Sequence, residues 1–288
     1  MSTKPPWICR RVPPLRMISK MQSVLDELKI HTICESAGCP NLGLCYEKKF
    51  AAFLILGNVC SRTCKFCGVK KGKQNKIDAN EPKRVARAVK KLNLKHVVIT
   101  SVTRDDLDDQ GVNQFIKTIK EIRSLNPATT TEILIPDFQG DEDCIHKILQ
   151  VSPEIINHNI EVVPRLYPKL RPEANYERSL NLLKQIKSKI KEKQILLKTG
   201  LMIGHGENIG EIYQTINNLY RTGCDILTIG QYLQPTPNQV KVKKFYQPKF
   251  FKELDKYSKS IGFRYVYSAP FIRSSFNAQE IYQLIKEE

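Results

Sequence analysis

Apolar residues recur along the chain in short runs of strand length: AAFLILG at 51–57, HVVITSV at 96–102, TEILIP at 131–136, EIINHNI at 154–160, ILLKTGLMIG at 195–204 and CDILTIGQYL at 224–233. Runs this short, bounded by polar residues, read as buried strands. Between most of them the apolar positions fall three and four apart, as in VARAVKKLNL, QFIKTIKEIRSL, ERSLNLLKQIKSKI and EIYQTINNLYRTG, where Gly223 serves as a helix stop. Strands alternating with helices imply parallel pairing through right-handed crossovers, hence a doubly wound sheet or a full or partial barrel. Periodicity alone does not choose between them. The first strand leads into Asn58, Val59 and Cys60 rather than a glycine-rich phosphate loop, which removes the main support for a dinucleotide-binding fold. The expectation is one compact domain: a repeat over residues 51–240, with an extension at 1–50 and another at 241–288.

A chain of 288 residues, 41% hydrophobic and 26% charged, buries a substantial core and is not disordered by composition. No apolar stretch approaches the roughly 18 to 20 residues of a membrane span, so no membrane association is expected. The basic opening MSTKPPWICRRVPPLRMISK is rich in proline and lacks an apolar helical face, so it reads as a structural arm rather than a transit peptide. The net charge of +17, with a pI near 9.4, is concentrated between Arg62 and Lys95 and in KQIKSKIKEK. Such a surface attracts acidic partners without specifying which: nucleic acid, an acidic carrier protein and an acidic electron donor all satisfy it, as does a solvated lysine-rich face.

The cysteines are more specific. Six of nine fall in two triplets, Cys34, Cys39 and Cys45, then Cys60, Cys64 and Cys67. Without a secretory signal, disulfides are a poor account of them, and metal is the natural one. Only Cys64 and Cys67 have the C-x2-C spacing usual for structural zinc, which makes zinc the second choice. The second triplet supplies three thiolates within eight residues, enough for three corners of a 4Fe-4S cube, and leaves the fourth iron open to a substrate.

C-x3-C-x2-C directly after a strand, with Phe66 before the last cysteine, resembles the signature of the radical S-adenosylmethionine superfamily. That resemblance implies α/β architecture, a partial (β/α)6 TIM-type barrel. The loop then lies at the C-terminal ends of the strands, where such barrels build their sites. It also implies S-adenosylmethionine chelated to the open iron and cleaved to a radical that abstracts hydrogen from carbon.

The C-x4-C-x5-C triplet placed before it resembles the lipoyl synthase family. So do K-P-P-W, T-S-V-T-R-D-D-L-D-D-Q-G, N-H-N-I-E-V-V-P-R-L-Y, G-L-M-I-G and Q-Y-L-Q-P-T, which span nearly the whole chain. The resemblance implies a second, auxiliary 4Fe-4S cluster on Cys34, Cys39 and Cys45. Its fourth ligand would be Ser275 of R-S-S-F, with Arg273 a charge close by. The implied reaction is insertion of two sulfur atoms at carbons 6 and 8 of an octanoyl chain on a lysine of a lipoyl-carrier domain.

The partners implied are octanoylated 2-oxoacid dehydrogenase E2 subunits or the glycine cleavage H protein, a small acidic electron donor such as flavodoxin or ferredoxin, and an iron-sulfur cluster carrier. Nucleic acid is not among them. Because K-P-P-W already matches the family's opening, the expected setting is the cytoplasm of a bacterial-type cell. A radical methylthiotransferase acting on tRNA and biotin synthase are rival relatives, and a zinc-ribbon nucleic-acid-binding module is a rival of another class. The chain departs from the family pattern at Phe276-Asn277 (usually Tyr-His), His205 (usually Leu) and Gln239 to Val242 (usually His-Leu-Pro-Val).

At the end of strand four, Asn159 and Glu161 are candidates for ribose hydroxyls of the nucleoside, and Arg165 for a carboxylate. Thr100 and Ser101 are candidates for the methionyl amine. Asp105, Asp106, Asp108 and Asp109 resemble a magnesium cluster but are read as helix capping. Cys9, Cys144 and Cys224 are read as small buried hydrophobes. His158 is the histidine expected nearest the active face, and Lys198 is expected inside the strands or at their rim.

Overall fold

Each strand-length apolar run forms a strand, and the helical spacings between them form helices. The computed structural model describes residues 4–9, 15–190 and 194–287. In chain order these contain α1 (Leu15–Glu27), β1 (His31–Thr32), α2 (Ile33–Ser36), α3 (Leu42–Glu47), β2 (Ala52–Ile55), β3 (Val59–Cys60), β4 (Lys70–Lys71), α4 (Glu81–Leu92), β5 (His96–Ser101), α5 (Val112–Leu125), β6 (Thr130–Leu134), α6 (Glu142–Gln150) and β7 (Ile155–Asn157). There follow α7 (Tyr167–Leu170), α8 (Tyr176–Lys189), β8 (Leu196–Ile203), α9 (Ile209–Tyr220), β9 (Ile226–Gln231), α10 (Pro248–Ser260), β10 (Tyr265–Ser268) and α11 (Ala278–Glu287). The class is α/β with mostly parallel strands, and the chain divides into two units.

The first unit comprises Val12–Arg62, Gly68–Ile155 and Ser275–Glu288. In it β1 pairs antiparallel with β2, β2 parallel with β5 (Ala52 opposite Val98) and β5 parallel with β6 (His96 opposite Thr130). Every residue of β2 is buried, as expected of a parallel strand covered on both faces. Helix α4 turns Val85, Val89 and Leu92 inward, and α5 does the same with Phe115, Ile119 and Ile122. Asn93, in the left-handed conformation, ends α4, and Lys90 and Lys91 sit favourably in its last turn.

Beyond β2 the backbone turns sharply at Leu56 (φ 67°) and Gly57 (φ 86°). The buried Glu81 carboxylate fixes this turn, accepting hydrogen bonds from the amides of Leu56 (2.9 Å) and Gly57 (3.3 Å) and from Gln114 Nε2 (2.9 Å). The turn delivers β3, whose Cys60 pairs with Lys71 in a small parallel ribbon.

The second unit comprises Met1–Arg11, Thr63–Cys67 and Ile156–Ser274. Here β8 and β10 flank β9, both parallel to it. Asn208 and Glu211 form a reciprocal capping box at the start of α9, and Gly223, at φ 81°, turns the chain after that helix. The N-terminal arm is pinned through Trp7, whose indole N–H donates to the Tyr246 carbonyl (3.1 Å). Gly230 lies in β9 where a Cβ would collide with the Ile272 carbonyl oxygen, so no larger residue fits there without moving backbone. Neither β1 nor β10 was expected from the periodicity.

Candidate functional site

In the first unit, Cys34 lies on α2, whose start is capped by the Thr32 hydroxyl accepting from the Glu35 amide. The Cys39 amide donates to the Cys34 carbonyl (2.9 Å), and the positive φ of Gly38 makes the tight return possible. Cys45 lies on α3, and its amide donates to the Asn41 carbonyl (2.9 Å). Burial, then the neighbouring Cys39 and Cys45 sulfurs, push the Cys34 thiol well above its ordinary range, while a hydrogen bond from the Ala52 backbone draws it down. Two buried thiols, Cys34 and Cys45, and the half-buried Cys39 thus lie close enough for the latter two to disfavour a charge on Cys34. This donor set suits iron and sulfide better than a hard metal.

Ser275 belongs to the same unit, in the turn that precedes α11. That helix is held by Lys48, three residues beyond Cys45, whose Nζ reaches Glu280 Oε1 at 2.6 Å. Tyr282 stacks on His96 with ring centroids 5.2 Å apart. Among the described residues no three His, Cys, Asp or Glu side chains close on a single metal ion. A cube distributes its cysteines over separate irons and does not call for that geometry.

Of the second triplet, Cys60 belongs to the first unit and Cys64 and Cys67 to the second. The Cys60 sulfur accepts hydrogen bonds from the backbone amides of Thr103 (3.4 Å) and Arg62 (3.5 Å). The Arg62 side chain is buried, with Nε and Nη2 each 2.8 Å from an Asp105 oxygen and Nη2 also 2.6 Å from Asp137. Burial opposes the charge on both Arg62 and Asp105, but Arg62 more than recovers it from Asp105 and Asp137 together, and Asp105 from Arg62, Ser61 and Gln139 together. The Arg62 pKa ends above the ordinary guanidinium value and that of Asp105 below the ordinary carboxylate value. Asp105 is therefore an ion-pair partner rather than a cap. Asp109 does cap α5, accepting from the amides of Gly111 (3.0 Å) and Asn113 (3.2 Å), and Asp106 pairs with Arg104.

Candidates at the strand ends fall in both units. In the first, the Thr100 hydroxyl donates to the Leu134 carbonyl (3.0 Å), and the Ser101 hydroxyl is buried with no hydrogen-bond partner among the described residues. In the second, Asn159 Nδ2 donates to Glu161 Oε1 (3.0 Å) and Ser274 Oγ (3.2 Å), while its Oδ1 is buried and has no hydrogen-bond partner among the described residues. Gly200 lets that oxygen pack closely against the strand: a Cβ there would come within 2.6 Å of Asn159 Oδ1 and 2.8 Å of Thr228 Oγ1. Glu161 is held at φ 67°, a conformation disfavoured for its residue type. Burial raises its pKa, opposed by Arg171, by the Asn159 hydrogen bond and by Arg273.

An orphaned buried acceptor beside a strained carboxylate fits a polar group of a nucleoside. Arg165, by contrast, forks onto the Glu211 carboxylate (2.7 and 2.9 Å) with an exposed side chain. Arg171 is the guanidinium that acts most strongly on Glu161, ahead of Arg273, and no motif in the sequence points to it. His158 is buried and hydrogen-bonded to Ser179 (3.0 Å), Lys198 is fully buried away from any rim, and Cys9 is exposed, unlike Cys144 and Cys224.

Three of the departures from the family pattern gather on the Lys65–Cys67 stretch in the second unit. Gln239 Nε2 donates to the Cys67 carbonyl (3.3 Å), and the Val240 amide to the Lys65 carbonyl (3.1 Å). His205 stacks on Tyr232 at 4.1 Å and lies 5.6 Å from Phe66 between centroids. Both His205 ring nitrogens are buried without a hydrogen-bond partner among the described residues, and burial pushes its pKa down to about 3.

A neutral imidazole must leave one N–H unsatisfied there, so His205→Leu should stabilise the cofactor-free protein by ~1–3 kcal/mol in urea unfolding at pH 7.5. The unfolded chain binds the proton near pH 6.5 and the folded one does not until about pH 3. Wild-type stability should therefore fall on acidification below 6.5, by up to ~1.4 kcal/mol per pH unit from this group, and the leucine variant should lose that slope. Equal stability at pH 7.5 and an equal acid slope would show that the ring nitrogens are satisfied.

A parallel α/β fold with a C-x3-C-x2-C loop after its first parallel strand defines a class of enzyme. The Radical SAM superfamily profile matches residues 54–219, and the chain is a member of that superfamily. A solved relative, methylornithine synthase (PylB), aligns with a TM-score of 0.55 at 16% identity over 85% of this chain and 68% of its own, a likeness of fold alone. Two lipoyl synthases match much more closely. The one from Caldicellulosiruptor saccharolyticus is 48% identical over 98% of both chains. The one from Caldanaerobacter subterraneus subsp. tengcongensis is 44% identical over 96% of this chain and 95% of its own. The chain belongs to the lipoyl synthase family of radical SAM sulfurtransferases. Its cofactors are those of the family: S-adenosylmethionine, the 4Fe-4S cluster that binds it, and an auxiliary 4Fe-4S cluster.

Proposed function

We propose that the chain inserts sulfur at carbons 6 and 8 of an octanoyl group amide-linked to a lysine of a lipoyl-carrier domain, forming the protein-bound lipoyl cofactor. The observation that carries this reading is the pairing of two cysteine triplets in one chain, the first of them brought close together with Cys34 and Cys45 buried. When bound, the clusters and S-adenosylmethionine supply the electron, the radical that abstracts hydrogen and the sulfur. In this reading Cys60, Cys64 and Cys67 hold three irons of one cube and leave the fourth free for the nucleoside cofactor.

Asn159 and Glu161 orient the cofactor's polar groups, with Arg171 and Arg273 balancing the carboxylate, and Thr100 and Ser101 meet its methionyl end. Cys34, Cys39, Cys45 and Ser275 hold the auxiliary cube. The strands form a partial (β/α)6 barrel flanked by extensions at 1–50 and 241–288. The basic surface suits an acidic carrier domain, an E2 subunit or H protein, and a flavodoxin- or ferredoxin-like donor. None of the described helices is long and apolar enough to cross a membrane, and thiol-rich sites of this kind suit the reducing cytoplasm.

Metal analysis is the direct test. Anaerobically reconstituted wild type should hold about eight irons with matching sulfide, and a triple alanine variant at Cys60, Cys64 and Cys67 about four. Wild type with four irons, or zinc without sulfide, would defeat the sulfur-insertion reading.

A further inference from the structure

The loop C-S-R-T-C has its third residue anchored more firmly than a loop arginine needs to be. Arg62 is 4% exposed and Asp137 is fully buried, and together with Asp105 they form one ion network inside the first unit. The network extends to both sides of Cys60. Its Arg62 end carries the amide that donates to the Cys60 sulfur. Its Asp105 end fixes Thr103, the other donor. The Asp105 amide donates to Ser61 Oγ (3.2 Å), which lies 3.0 Å from the Thr103 carbonyl, and the Ser61 amide donates to that same carbonyl (3.1 Å). Gln139 Nε2 adds a bond to Asp105 Oδ1 (3.1 Å), and the Gln139 amide one to Asp137 (3.2 Å). Two amides are thus aimed at one sulfur from positions that this network holds.

A backbone N–H pointing at a ligand sulfur stabilises negative charge there, and the reduced cluster carries one electron more than the oxidised one. Such bonds therefore favour reduction, and they are among the levers that set cluster potentials. We propose that Arg62, Asp105 and Asp137 are positioning residues that hold the Arg62 and Thr103 amides on the Cys60 sulfur and so raise the reduction potential of the cluster bound there. This rests on the assignment of Cys60, Cys64 and Cys67 to the S-adenosylmethionine-binding cluster.

The test is a redox titration of the reconstituted holoenzyme followed by EPR, using the signal that changes when S-adenosylmethionine is added and that is lost in Cys60→Ala. Arg62→Lys keeps the charge but loses the fork that reaches both carboxylates. Its midpoint should move to more negative potential, and an unchanged midpoint would overturn the proposal. Should that variant fail to fold, Asp105→Asn decides. Loss of the carboxylate charge alone would raise the midpoint, whereas release of the amides lowers it, so a negative shift supports the proposal and a positive or absent one overturns it. Wild type lacking an S-adenosylmethionine-responsive signal would remove the cluster assignment as well. A responsive wild type with an indifferent Arg62→Lys removes the positioning role alone.

Discussion

Gly230→Ala should cost at least about 3 kcal/mol of stability and abolish lipoyl formation. A methyl group at that point of β9 would fall inside hard contact with the Ile272 carbonyl oxygen and press on Arg273 Nη1 at 3.1 Å. Backbone cannot rotate away as a side chain can, so the cost sits at or above the upper end of ordinary overpacking. For a chain of this size that corresponds to a fall in Tm of roughly 6 to 12 °C. The activity loss follows from where the pressure lands, on the peptide leading into Ser274 and Ser275. Calorimetry and an octanoyl-carrier assay give the two readouts, and a variant with wild-type Tm and wild-type product would mean that β9 and the Ile272 peptide are not in contact.

Ser275→Cys should have the opposite signature, with stability and iron content near wild type and product formation reduced at least about tenfold. In the proposed reading the auxiliary cube's other protein ligands are thiolates, and an alkoxide is the poorer match to iron in a sulfide cluster, so serine would be the ligand that lets go most readily. A fourth thiolate that holds the iron more tightly by only ~1.4 kcal/mol at the step where sulfur must leave is enough for that tenfold loss. The measurement is mass spectrometry of the carrier, separating addition of one sulfur from two. Normal insertion of the second sulfur would remove Ser275 from the role proposed for it.

Strand runs and helical spacings were legible because each reports a buried face. The six apolar runs correspond to β2, β5, β6, β7, β8 and β9, and the helices between them fall where three-and-four spacing puts them. His31–Thr32 and Tyr265–Ser268 were not, since a two-residue pairing has no period and YVYS reads equally well as loop. The metal chemistry was legible because cysteine spacing encodes it directly.

The supporting shell was only half legible. Asp105 and Arg62 both stand in quoted motifs, but the ion pair joins residues 43 positions apart, and nothing in either motif announces the other. Asp137, an acid just beyond the end of β6, offered a signal that was not taken up, and Arg171 offered none. His205 was noted as a departure, yet its meaning depends on burial, which a sequence does not state.

The first unit is discontinuous: its opening stretch carries Cys34, Cys39 and Cys45, and its last stretch begins at Ser275 and is fastened by Lys48 to Glu280. On a ribosome the two stretches emerge about 230 residues apart. At ~5–20 residues per second, the three thiols wait roughly 10 to 50 seconds for the segment that carries the fourth ligand proposed for them. Metal loaded onto the nascent chain would meet an unfinished vessel. In the proposed reading the auxiliary centre then matures only after the Ser275 stretch has been made, and truncation before Ser275 should leave a protein whose cysteines are all present and whose second cluster is not securely housed.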